Sequence, residues 1–263
     1  MLNHHRQGSG EPLLLVHGIG MLWQWWTPCL DALAARHDVV ALDLPGFGAS
    51  DRLPPGDEPT IERLVDSVEE LARELGFERW HVAGISLGGQ ISLELARRGS
   101  VASATAFSPG GLFRGWERKW VEGSLALTAR SSQLIAPRAD KLCARPGVRK
   151  ALLGQVCAHG ERIPRGACAS FFRGLAESDF DRTLRTLLAG PIGEPFDVRA
   201  PVTVAWGTRD ALLFPWQAER GIQLARGARK KMLPGASHVP TYDDPEATVA
   251  TILETAGLAA TAA

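Results

Sequence analysis

Gly84-Ile85-Ser86-Leu87-Gly88-Gly89 lies between the strand-like run Trp80-His81-Val82-Ala83 and a helix-like run over 90–98. A serine hydroxyl is inert at neutral pH. One that attacks must sit on a tight strand-to-helix turn that offers it to a neighbouring base. Glycine at 84 and 88 fits that turn, because a Cβ at either position would crowd the closely approaching strand and helix. The strain then falls on Ser86. In a chain with 28 glycines the pentapeptide alone carries modest weight, and its context supplies the rest.

Asp210 and His238 follow in the chain order serine, acid, histidine. Asp210 comes just after Val202-Thr203-Val204-Ala205-Trp206, a short β-branched run opened by Pro201 and closed by Gly207, so its carboxylate belongs on a loop at a strand's C-terminal end. His238 follows Lys231-Met232-Leu233 and the turn formers Pro234-Gly235, which places it on a loop at the same sheet edge. In such a triad the histidine takes the serine proton while the acid fixes its tautomer. His17-Gly18-Ile19-Gly20 follows the buried-strand run Leu13-Leu14-Leu15-Val16 and leaves backbone N–H groups near the turn. The expected oxyanion donors are the amides of Ile19 and Leu87. His17 precedes the loop and reads as a brace for it rather than a base.

Four segments in this order resemble the α/β-hydrolase superfamily, over most of the chain outside residues 111–195. They are His17-Gly18-Ile19-Gly20 with Trp26 downstream, Asp43-Leu44-Pro45-Gly46-Phe47-Gly48-Ala49-Ser50, the Ser86 turn, and Trp206-Gly207-Thr208-Arg209-Asp210 followed by Ser237-His238-Val239-Pro240 and Asp243-Asp244-Pro245-Glu246. The resemblance implies a catalytic triad of Ser86, Asp210 and His238. Ser237 stands where the family often has glycine. The dehalogenase branch carries aspartate at the position of Ser86, which argues against dehalogenation. Carbon–carbon hydrolases of the family commonly carry asparagine before the nucleophile and tryptophan shortly after the histidine. Here those places hold Ile85 and Val239-Pro240-Thr241, so that chemistry is the alternative and carboxylic ester hydrolysis the main expectation, with thioesters or lactones within reach. A non-catalytic small-molecule binder is the alternative from a different class.

Short apolar runs at 13–16, 38–42, 80–84, 102–107, 201–206 and 229–233 alternate with amphipathic stretches, the pattern of an α/β fold with a mostly parallel sheet wrapped by helices. Ile61, Leu64, Val65, Val68, Leu71, Ala72 and Leu75 recur at three- and four-residue steps and predict one of these helices. Asp43 reads as a scaffold residue in a turn. Residues 111–195 break the alternation and are expected to form a helical cap over the sheet edge, leaving 1–110 and 196–263 as the hydrolase core. Trp23, Trp25, Phe113, Trp116, Leu213 and Val239 are the candidates for an apolar substrate pocket, which suits a hydrophobic ester-like substrate. The cap region holds 14 basic and 8 acidic residues against 15 and 21 elsewhere. This excess would favour anionic substrates if it faced the pocket; the plainer reading is solvated helix faces.

Lysine plus arginine and aspartate plus glutamate both total 29, so no global field favours nucleic acid or an acidic membrane, and neither partner is expected. Cys29, Cys143, Cys157 and Cys168 show no C-x-x-C pair or ligand cluster, and free thiols are expected. No cofactor and no metal are implied. His4-His5 reads as a solvated tail. The polar N-terminus and the absence of any ~20-residue apolar run predict a cytoplasmic protein.

Overall fold

The computed structural model describes residues 2–189 and 193–261. Met1, residues 190–192 of the expected cap and the last two alanines lie outside them. Seven strands form one sheet: β1 (His4–Gly8), β2 (Glu11–Val16), β3 (His37–Leu42), β4 (His81–Ile85), β5 (Ser103–Phe107), β7 (Val202–Gly207) and β9 (Arg229–Leu233), in the order β1-β3-β2-β4-β5-β7-β9. A separate two-stranded pair joins β6 (Phe196–Asp197) to β8 (Ala225–Arg226). Every neighbour in the large sheet is parallel except β1, which runs antiparallel to β3. The central strands β3, β4, β5 and β7 are buried along their full length. That explains why their sequences are mostly apolar instead of alternating, because a parallel strand covered on both faces has no solvent side to show.

The expected solvated tail at His4-His5 is corrected, since these residues open β1. An edge strand half open to water needs no apolar run, and Arg6 holds it in register through paired bonds of 2.9 and 2.6 Å to Asp38 of β3. Helices α1 (Thr27–Ala34), α2 (Ile61–Glu74) and α3 (Leu87–Arg98) complete the first half. α2 begins where the Thr60 hydroxyl accepts the Arg63 amide, and it buries Leu64, Val65, Val68, Leu71 and Ala72 of the predicted stripe, with Ile61 and Leu75 half-buried at its two ends.

Between β5 and β7 the chain runs through α4 (Trp116–Ile135), α5 (Ala139–Leu142), α6 (Pro146–Leu153), α7 (Arg165–Glu177) and α8 (Phe180–Ala189). α4 packs on α7, with Val121 and Leu125 buried on the first helix and Phe171, Phe172 and Leu175 on the second. Helices α9 (Gln217–Leu224), α10 (Pro240–Asp243) and α11 (Pro245–Thr261) close the fold. The start of α4 is pinned to the core by Glu117, whose buried carboxylate takes the Trp216 indole N–H at 2.6 Å and the Arg114 amide at 2.8 Å and pairs with the Arg220 guanidinium. Burial alone would push the Glu117 carboxyl up, but the bonds from Arg220, Trp216 and Arg114 outweigh it and hold it below the usual range. Among the described residues, no helix is long and apolar enough to cross a membrane.

Candidate active site

Ser86 follows β4 directly and opens α3 with φ 58° and ψ −112°, a left-handed conformation rare for a side-chain-bearing residue. The surrounding turn enforces it. The Ser86 amide donates to the Phe107 carbonyl at 2.9 Å, and its own carbonyl accepts the amides of Gln90 and Gly110. A Cβ on Gly84 would lie 2.1 Å from the Gly88 carbonyl oxygen, and one on Gly88 2.2 Å from that of Val16. Backbone cannot yield at such distances, so strand and helix approach this closely only through glycine. The strain at Ser86 is therefore built in by packing.

Asp210 lies beyond β7 and His238 beyond β9, both buried. Asp210 Oδ2 is 2.8 Å from His238 Nδ1, while Oδ1 accepts the amides of Leu212 and Leu213 at 3.0 and 2.8 Å. A carboxylate only accepts, so Nδ1 carries the proton and Nε2 is left as the basic nitrogen. The histidine loop is tied to the insertion on both sides. The Val239 amide donates to the Val156 carbonyl at 2.8 Å. Asp243 accepts the Ser237 amide at 2.8 Å together with the amides of Ala158 at 2.9 Å and His159 at 2.8 Å.

His17 has no accessible surface, and its Nδ1 donates to the Gly18 carbonyl at 2.7 Å while Nε2 accepts the Leu44 amide at 2.9 Å. Both nitrogens are thus used, and burial pushes its pKa down despite the neighbouring Asp43. A neutral imidazole with no free nitrogen braces the loop. Asp43 accepts from Asn3 Nδ2, the Trp23 amide and the Ala49 amide, a knot of scaffold bonds.

Ser86 and His238 face one narrow chamber of about 30 Å³, room for about one water molecule. Its walls are Ile19, Met21 and Leu212 from the core and Leu125, Thr128, Gln155, Val156, Phe171, Leu175 and Phe180 from the insertion. None of the six residues expected to line the pocket does so. Trp25 is buried behind the wall, edge-on to Phe171 at 5.3 Å and Tyr242 at 5.7 Å. Trp23 stacks on His5 at 4.7 Å, and Trp116 is 60 % exposed. Phe113 borders a separate groove with Arg114 and Arg220. Leu213 and Val239 are buried, and their amides are engaged by Asp210 and Val156. The residues that do line it were hidden because the inward face of an inserted helix depends on how the helix is seated; Leu125 and Thr128 share a face of α4, whereas Gln155 carries no periodic signal at all. No lysine or arginine lines the chamber, so the insertion's basic excess does not reach it. Among the described residues, no group of three or more histidine, cysteine or acidic side chains is arranged to hold a metal.

Residues 13–251 match the model of a family described as "Alpha/beta hydrolase family". The chain is 31% identical, over 88% of its length, to the dihydrolipoyllysine-residue acetyltransferase component of the acetoin cleaving system of Pseudomonas putida, and the match spans 59% of that longer relative. Its fold is similar to a thermophilic esterase from Thermogutta terrifontis (TM-score 0.71, 22% identity, 96% of this chain and 92% of that one). It is also similar to a meta-cleavage product hydrolase from Pseudomonas fluorescens (TM-score 0.76, 17% identity, 97% and 93%). At these identities the two structures speak to fold alone. With the family model covering most of the sequence and the seven-stranded, mostly parallel sheet beneath it, the chain belongs to the alpha/beta hydrolase family.

Proposed function

We propose that the chain is a serine hydrolase of hydrophobic carboxylic esters, with Ser86 as nucleophile, His238 as base and Asp210 as the acid that orients it. One observation carries this reading: the 2.8 Å bond from His238 Nδ1 to Asp210 fixes the tautomer that leaves Nε2 basic, in the same narrow chamber as a serine held in strained backbone. Ser86 Oγ attacks the ester carbonyl carbon as its proton passes to His238 Nε2. The developing oxyanion is met by the amides of Leu87, in the first turn of α3 where N–H groups lack helical partners, and Ile19. The intermediate expels the alcohol, which takes its proton from His238. Water, deprotonated by His238, then attacks the acyl-enzyme, releases the acid and returns the proton to Ser86.

Residues 111–195 act in this reading as a cap, whose opening admits substrate to a chamber otherwise too small for one. The lining supports an apolar substrate, with Thr128 and Gln155 as its polar contacts from the cap. Ile85 before the nucleophile supports ester over carbon–carbon hydrolysis. A fluorophosphonate probe followed by peptide mass spectrometry tests the mechanism. Covalent label on Ser86, lost in Ser86→Ala together with turnover of a neutral ester panel, is the expected result. A folded wild-type protein that binds such esters without labelling or turnover would make it a receptor.

A further inference from the structure

Six large hydrophobic side chains stand exposed among the described residues, and five gather on one side of the insertion: Trp116, Trp120, Leu127 and Leu134 on α4, and Trp216 in the loop after β7. At 3.6 residues per turn the four on α4 fall within about 40° of one another, along a stripe about 27 Å long. They are 60, 43, 66 and 76 % exposed. At the stripe's N-terminal end Phe214 bridges the tryptophans, stacking on Trp216 at 4.5 Å and lying 5.3 Å from Trp116 and 6.2 Å from Trp120. The opposite side of the same helix is already used, burying Val121 and Leu125. A helix apolar on two sides has a second surface to cover.

Charge decides what covers it. Lys119 and Arg130 flank the stripe, while Glu122 lies on the side away from it. Glu117 is buried and paired with Arg220, and Arg118 donates to the Leu188 carbonyl. The zero net charge of the whole chain hides a separation, with 14 basic and 8 acidic residues in 111–195 against 15 and 21 elsewhere. The expectation against an acidic surface, drawn from net charge, thus says nothing about this face. A second copy docked through the same stripe would bring two positive poles together. An anionic surface would be attracted to it.

We propose that this side of the insertion docks on an anionic lipid–water interface. Trp116, Trp120 and Trp216 sit at headgroup depth, Leu127 and Leu134 reach the acyl boundary, and Lys119 and Arg130 meet the anionic headgroups. Because Leu125 and Thr128 of the same helix line the chamber, docking brings a chamber wall next to the lipid. The docking stands independently of the esterase reading, since binding is measured without turnover.

The test is co-sedimentation with vesicles of equal parts phosphatidylcholine and phosphatidylglycerol, and with phosphatidylcholine alone. Wild type is expected to bind the anionic vesicles, weakly or not at all the neutral ones, and to be released by salt. The double variant Leu127→Glu, Leu134→Glu should bind at least about tenfold more weakly. Lys119→Gln and Arg130→Gln should each lose roughly fivefold. All four positions are at the surface, so unchanged circular dichroism separates lost docking from lost fold. No binding to anionic vesicles, binding unchanged in the double glutamate variant, or a wild-type dimer abolished by that variant in the absence of vesicle binding would each overturn the proposal.

Discussion

Asp243→Asn is expected to damage both stability and turnover, and the size of the loss follows from the bonds the carboxylate makes. Asp243 is buried and accepts three backbone amides, with Oδ2 shared by Ala158 and Ser237 and Oδ1 taken by His159. An asparagine offers one acceptor oxygen. Placed at the Oδ2 position it keeps two bonds and turns an N–H₂ group against the His159 amide, so one charge-assisted bond is lost and a donor faces a donor. A hydrogen bond to a charged group contributes about 1.5–3 kcal/mol, and an unsatisfied buried donor costs about 1–3 kcal/mol. A net loss of about 2–4 kcal/mol is expected. The same bonds hold Ser237, next to His238, against the segment that contributes Gln155 and Val156 to the chamber. Ester turnover measured at equal folded fraction should therefore fall, whereas Asp244→Asn, which removes only charge from a carboxylate accepting the Ala247 amide, should change it little. Urea denaturation supplies the first number and steady-state kinetics the second. A variant within 0.5 kcal/mol of wild type on the urea scale, a margin of about the scatter of ordinary surface substitutions, and of normal turnover, would refute the clamp.

The pH dependence of stability has a definite sign. Burial, first among the causes, holds His17 and His81 below the usual histidine value of 6.5, so the unfolded chain binds protons first; stability is full above about pH 6.5 and falls as the pH drops below it. Urea midpoints across about pH 5 to 8 check this, and a flat profile would contradict it. Glu117→Gln weakens the bonds from Arg220 and removes their charge, and is expected to lower stability by about 2–3 kcal/mol, read by urea denaturation. All four cysteines are buried, with Cys29 pushed up to about 12 and Cys157 raised well above its ordinary value by burial. Intact-mass analysis should therefore find them unmodified by iodoacetamide in the folded protein and alkylated once it is unfolded.

The parts of the site that sequence makes legible are those whose position is set by the backbone within a few residues of a strand end. Ser86 and Asp210 each follow a strand that advertises itself by continuous burial, whereas His238 follows the half-exposed edge strand β9 and is marked by the turn formers Pro234-Gly235 after it, so residue type and place at the sheet edge can be read together. Gly84 and Gly88 are legible for the same reason, because their constraint is contact between the strand and helix they join. Strand β1 is not legible, since an edge strand held by Arg6 and Asp38 has a polar sequence, and polarity at an N-terminus reads as a tail. The chamber is illegible for a different reason. Aromatic residues near the motifs were natural pocket candidates, yet a large ring close in sequence to the turn serves equally well behind the wall, as Trp25 does, or on the outer surface, as Trp116 does. Which face of α4 turns inward is decided by the Glu117–Arg220 pair and by packing on α7, both contacts across long stretches of chain. The placement of Ser86, Asp210 and His238 at one sheet edge is thus a local property of the sequence, while the chamber they face is a tertiary property of how the insertion is seated.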